Sequence, residues 1–133
     1  MISINQPQDI LGLGIKNILS FRLDDLSYQN LVMSVNKVIV IEFRNIYAVT
    51  VFFKGEKITI EYDEHENYDL RISLDINTMV AIARGDIGPI TGFLKGNLKV
   101  KKIWNIGLLL KFIKIFIPNL KLAGERALIV KNQ

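Results

Sequence analysis

Few residues in this chain could perform ordinary covalent chemistry. There is one histidine and no cysteine, which removes thiol nucleophiles, thiolate zinc sites and redox couples and leaves His65 as the sole imidazole. His65 sits in DEHENYD, residues 63–69, among Asp63, Glu64, Glu66 and Asp69. Carboxylates beside an imidazole suit a metal ion. The spacing, however, matches neither a calcium loop nor a zinc pattern, so a solvated acidic loop is expected and no metal or other cofactor is assigned. Ser27, Ser34 and Ser73 lack a nucleophile-elbow motif, and no pair of carboxylates falls in an apolar stretch where burial would raise one pKa for general-acid work. These residue types point away from an enzyme.

The chemistry on offer is instead that of apolar surface. Residues 88–118, GPITGFLKGNLKVKKIWNIGLLLKFIKIFIP, contain no acidic side chain and close on fifteen mostly large apolar residues before Pro118. At 100° per residue, Gly107, Lys111 and Lys114 share one narrow face of a helix over 103–117. Trp104, Leu108, Leu109, Phe112, Ile113, Phe116 and Ile117 fill the rest. A helix apolar over most of its circumference must be buried or must meet a lipid on one side and protein on the other. Leaving several such side chains in water would cost several kcal/mol at about 25 cal/mol for each Å². A ligand, partner or bilayer is therefore expected to cover them.

Composition supports this reading. Half of the 133 residues are hydrophobic and the mean hydropathy is positive, +0.27. The net charge of +4 is unevenly placed: residues 87–124 carry seven lysines and no acid, so the remainder stands at −3, four less seven. Lys99, Lys101, Lys102, Lys111 and Lys114 make an anionic membrane surface the expected transient partner, each exposed lysine contributing about 1 kcal/mol close to such a surface. Nucleic acid is not expected, because the lysines alternate with aliphatics instead of stacking aromatics and the acidic remainder repels phosphates. No secretory signal is read at the N-terminus, and 103–117 is shorter than the ~20 residues of a membrane span. With the lack of cysteine, this gives a cytoplasmic expectation.

The elements that must position the apolar helix follow from hydrophobic period. Residues 1–35 read as two amphipathic helices, the first with Pro7 in its first turn and the second at 27–35 with Asp24, Asp25 or Ser27 as cap. Residues 38–75 read as four strands, 38–44, 46–54, 57–62 and 70–76, with a hairpin turn at Lys54, Gly55 and Glu56. Residues 76–117 hold a helix to about Arg84 stopped by Gly85, a shorter helix at 88–94 with Pro89 at its first position, a fifth strand at 97–101 and the apolar helix. Residues 118–133 read as a tail whose Leu120, Leu122, Leu128, Ile129 and Val130 dock on the rest. The whole is expected to be one domain.

In order and residues, these elements resemble the sterol carrier protein type two family. The likeness is strongest over 69–112: strand DLRISLD, helix INTMVAIARGDIGP, then ITGFLKGNLKVKKIWNIGLLLKF. In that family a strand leads to a Gly-terminated helix, a second helix runs to an aliphatic-Gly-Lys-Leu-Lys turn and strand, and a Gly-Leu-aliphatic helix follows. Here these are Phe93-Leu94-Lys95-Gly96-Asn97-Leu98-Lys99-Val100 and Gly107-Leu108-Leu109-Leu110. The resemblance implies an α+β fold, a single five-stranded, mostly antiparallel mixed sheet with helices over one face, enclosing an apolar tunnel for sterols, acyl chains or isoprenoids. No covalent chemistry and no cofactor are implied. Phe93, Leu94, Leu108, Leu109 and Phe112 would line the tunnel, joined by Trp104 and Phe116 of the same apolar helix. The segment beyond Pro118, an addition to the family pattern, would plug or lid it. Function is thus expected to be lipid binding or transfer by a monomer or homodimer. The alternative is an accessory module that shields a partner enzyme's substrate, as similar domains do in acetyltransferases, alkyl sulfatases and ubiquinone-biosynthesis assemblies.

Overall fold

The change of hydrophobic period at residue 38 is the switch from helix to sheet. The computed structural model describes the backbone of residues 1–131 and side chains through Arg126. Its strands are β1 (Ser3–Ile4), β2 (Val38–Phe43), β3 (Tyr47–Lys54), β4 (Lys57–Tyr62), β5 (Leu70–Leu74) and β6 (Leu98–Lys101). They form one sheet in the order β1-β4-β3-β2-β5-β6, parallel at β1/β4 and β2/β5 and antiparallel elsewhere. The sheet has six strands where five were expected, because two residues are too few to show a period of two. The missed strand is short for a reason. Beyond Ile4 the Asn5 side chain takes over the ladder, its amide donating to the Ile60 carbonyl at 2.9 Å and its oxygen accepting from the Ile60 N–H at 2.7 Å.

Side chains alternate across a strand, so Ile39, Ile41 and Phe43 of β2 face the core with Ile72 and Leu74 of β5. Glu42, Thr50, Arg71 and Ser73 take the opposite face. There the acidic loop 63–69 lies pinned across the sheet, exposed yet anchored. Thr50 Oγ1 donates to the Asp63 carbonyl at 2.8 Å, and the His65 ring stands edge-on to Phe52 at 5.2 Å. Arg71 bridges Glu42 and Glu64. The Ser73 hydroxyl, then the Arg71 and Lys101 charges, hold the Glu42 carboxyl below its ordinary range against the effect of burial.

Helices α1 (Ile10–Leu19), α2 (Leu26–Met33), α3 (Ile76–Arg84), α4 (Pro89–Leu94) and α5 (Ile106–Lys131) complete the fold. Each of the first three starts where a carboxylate meets free backbone N–H groups: Asp9 to Gly12, Asp25 to Ser27 and Tyr28, Asp75 to Thr78. Pro7 therefore lies before α1 and not in its first turn. Gly85 ends α3 at φ +79, a conformation that favours glycine.

The largest departure from expectation is α5, which does not stop at Pro118 but runs through it for 26 residues. A proline inside a helix leaves the carbonyl four residues back without its donor. Here that carbonyl, of Lys114, accepts from the Arg22 guanidinium at 2.9 Å, and the next, of Ile115, at 3.2 Å. The same guanidinium donates to Asn119 Oδ1 and lies over the Tyr28 ring. Asn119, with 0% exposure, donates onward to the Ile18 carbonyl at 2.9 Å and to the Tyr28 hydroxyl at 3.0 Å, and that hydroxyl donates to the Leu19 carbonyl at 2.6 Å. Past the proline, α5 packs against α3, where a Cβ on Gly124 would come within 2.9 Å of the Ala83 carbonyl oxygen. Residues 119–126 are thus a helix clamped to the body, not a tail. The side chains of Leu128, Ile129 and Val130 lie outside the described residues.

Two outcomes follow for this knot. Arg22→Ala should cost about 2–3 kcal/mol in urea denaturation, since two carbonyls and a buried amide lose their partner. Adding Pro118→Ala, which restores the missing N–H, should recover part of that loss in the double variant; equal effects of Pro118→Ala in both backgrounds would disprove the compensation. Burial pushes the Tyr28 phenol up to about 12 from 10.0. The folded state then holds the proton more tightly, so this contribution is intact below pH 10 and is lost as pH rises from 10 toward 12, by about 1.4 kcal/mol for each unit. Tyr28→Phe should flatten that alkaline slope while lowering stability at neutral pH by about 1–3 kcal/mol through the stranded Asn119 amide.

Candidate functional site

Local sequence builds an apolar groove between α4, β6 and α5. Pro89 opens α4 where its missing N–H is not needed, and Ile90, Phe93 and Leu94 then share one face at i, i+3 and i+4. Gly96 turns the chain at φ +78 into β6, whose Leu98 and Val100 face the groove while Lys99 and Lys101 pair opposite Ser73 and Arg71 on the other face. The loop into α5 is fixed from behind. Lys102 Nζ donates to the Tyr68 carbonyl at 2.6 Å and lies 4.5 Å over that ring, and the Asn105 amide donates to the Asp69 carbonyl at 2.6 Å. From that anchor Ile106, Leu109, Leu110 and Ile113 run as one helical stripe along the far wall. The groove holds about 310 Å³ and every side chain lining it is apolar.

Beneath it, between α5, α3 and the sheet, lies a smaller cavity of about 40 Å³ walled by Ile41, Ile72, Met79, Phe112 and Phe116 among others. The Phe112 and Phe116 rings stack at 5.1 Å. Pro89, Leu98, Leu109 and Ile113 belong to both spaces. One layer of side chains separates groove from cavity. Where a tunnel was expected, the structure shows two neighbouring apolar spaces, a groove and a smaller cavity beneath it. With no ionisable or hydrogen-bonding side chain in either wall, the site can hold apolar matter by area alone.

Of the residues singled out from sequence, the structure brings Phe93, Leu94 and Leu109 together in the groove, with Leu109, Phe112 and Phe116 around the cavity. Leu108 is buried in the core, Trp104 is 74% exposed, and neither lines either space. Pro89, Ile90, Leu98, Val100, Ile103, Ile106, Leu110 and Ile113 complete the groove and were missed. The Ile106, Leu109, Leu110, Ile113 spacing was the available signal, hidden by a helix apolar on nearly every face. The lysines do not gather at one mouth. Lys99 and Lys101 lie on the sheet's outer face, Lys111 Nζ reaches the Ser34 carbonyl at 3.3 Å across α5 from the groove, and Lys114 is exposed on the Arg22 side. Among the described residues no three His, Asp or Glu side chains converge to hold a metal, and no helix is long and apolar enough to cross a membrane.

Known proteins share this architecture. The solution structure of sterol carrier protein domain 2 of Helicoverpa armigera superposes with a TM-score of 0.66 at 20% identity, over 90% of this chain and 95% of that one. A UbiJ-SCP2 ubiquinone synthesis protein gives 0.61 at 10% identity, over 82% and 87%. The sec-alkylsulfatase Pisa1 from Pseudomonas sp. gives 0.54 at 13% identity, over 66% of this chain but 13% of that enzyme. A search of curated protein sequences gave no match. The sequence pattern of the SCP-2 sterol transfer family matches residues 15–117, a span that takes in both walls of the groove. The chain belongs to that family, whose domains are of the lipid-binding and lipid-transfer kind.

Proposed function

We propose that this protein is a non-catalytic carrier of single-chain lipids, acyl or isoprenoid, held in the groove between α4, β6 and α5 with the polar end left in water. The observation that carries the reading is the groove's wholly apolar wall above a cavity from which one layer of side chains divides it. Its 310 Å³ lies at the low end of the range for small-molecule sites, about 300–1,000 Å³. The smaller cavity has room for about one water-sized group. A flexible chain end can thread past Leu109 and Ile113 if they shift, whereas a rigid sterol nucleus would have to stay in the open groove. Lys99, Lys101 and Lys114 supply cationic contact with an anionic membrane during transfer. Lys102 and Lys111, whose ammonium groups are already hydrogen-bonded, add to the field. This reading goes with a cytoplasmic setting and transient membrane association.

A second reading is favoured by one observation, the ring of exposed apolar side chains around the groove, which includes Ile90, Leu94 and Ile106. Together with the likeness to UbiJ-SCP2, it suits an accessory module that shields an isoprenoid substrate for a partner enzyme. Native mass spectrometry followed by organic extraction separates the two: an acyl lipid on a monomer supports the carrier, an isoprenoid on a stable complex supports the accessory module.

The site itself is tested by titration with a fluorescent fatty acid. Phe93→Glu and Leu110→Glu alter groove walls that are already partly exposed, so both should abolish uptake while circular dichroism and melting stay as in the parent. Ile113→Ala thins the layer above the cavity; it should lower stability by about 2–5 kcal/mol yet retain or raise uptake. Glutamate variants that titrate like the parent would remove the groove as the binding site.

A further inference from the structure

We infer that the mouth of the groove is a bilayer-docking face, in which Ile90, Leu94, Trp104 and Ile106 enter the headgroup region of an anionic leaflet. The inference rests on the lipid-carrier reading and adds the surface through which cargo would pass. Its first support is exposure. Leu94 and Trp104 stand 77% and 74% exposed, with Ile90 and Ile106 more than half exposed. Ile90, Leu94 and Ile106 line one opening, and Trp104 lies two residues before Ile106 in the loop that leads into α5. Apolar patches of this kind on a small protein mark an interaction site.

The second support is charge. Elements α4 and β6, and α5 as far as Gly124, carry no acidic side chain. Lys95 is exposed directly after Leu94, Lys99 and Lys101 stand across β6 from the groove wall, and Lys114 lies across α5 from it. The carboxylate of Asp69, behind the loop, is taken by the Val38 N–H at 2.8 Å. An apolar opening edged by Lys95 and framed by elements without a carboxylate, with further lysines behind its walls, matches an interface of acyl chains bordered by phosphates. It does not match a second copy of the same face, which would set lysines against lysines with no carboxylate between them. The chain's sole tryptophan sits where indole is favoured, at the boundary between hydrocarbon and water.

Trp104 is also the native reporter. Its emission should shift to the blue with vesicles of phosphatidylcholine mixed with phosphatidylglycerol, stay near its value in water with phosphatidylcholine alone, and be quenched by phospholipids brominated on the acyl chain. Lys95→Gln and Lys99→Gln, neither in the groove wall, should each weaken vesicle partitioning by about fivefold, and raised salt should mimic them. Uptake of free dodecanoate should be unchanged in these variants. Emission unmoved by either vesicle, or a shift without bromine quenching, would overturn the docking face. A shift produced by raising protein concentration without vesicles would assign the face to a second copy instead. Loss of dodecanoate binding with vesicle docking intact would strike the carrier reading alone, and the reverse result would strike the docking face alone.

Discussion

A single guanidinium holds together what the proline would otherwise divide. Pro118 removes a helical donor in the middle of the longest element, and Arg22, arriving from the turn after α1, supplies its replacement to the carbonyls of Lys114 and Ile115. Asn119 completes the joint by tying the same turn to the α1 backbone and to Tyr28. A fully buried amide and a guanidinium lying on an aromatic face are stable only when every donor has a target. Here the targets are fixed backbone carbonyls, so the joint has one geometry. The angle at which α5 crosses the molecule follows from it, and with that angle the separation of α5 from α4 and β6. The groove is the space this separation leaves.

Once α5 is placed, its amphipathic character is resolved by its neighbours. The Ile115 and Leu120 side enters the main core, the Gly107 and Lys111 side meets α2, and the Leu110 side is left with α4 as a partial cover. A six-residue helix is too small to close over a stripe of four large aliphatics. The same shortage explains why Phe112 and Phe116 stack on each other over a chamber instead of filling it. The apolar surplus of the sequence is thus divided into a packed part, a small void and an open wall. Only the last two are available to a ligand without unfolding.

Most of the architecture was readable in the sequence because periodicity and caps report local physics. The alternation of Ile39, Ile41 and Phe43, the Gly85 stop of α3, and Pro89 at the head of α4 each encode their element without help from elsewhere. What was not readable depends on distant partners. Continuation of α5 past Pro118 requires Arg22, ninety-two residues from the carbonyl it serves, and no local rule for proline contains that information. β1 exists through its pairing with β4. The site was half legible: Phe93 and Leu109 fall in the groove wall, but on a helix apolar nearly all round, only the placement of α4 separates Leu110 from Leu108.

The Arg22–Asn119 contact spans ninety-seven positions, and this bears on the order in which the molecule assembles. The β2, β3 and β4 meander closes through short turns and can form as soon as it is synthesised, whereas the seating of α5 must wait for a loop of nearly the whole chain to close. The centre of the sheet is therefore ready before the helix that walls the groove. Until residue 119 is free of the ribosome, the core-facing sides of β2, β3 and β5 have no α5 to cover them, and their aliphatics are open to any apolar chain nearby. By this topology the apolar face of the sheet is laid down before the helix that covers it.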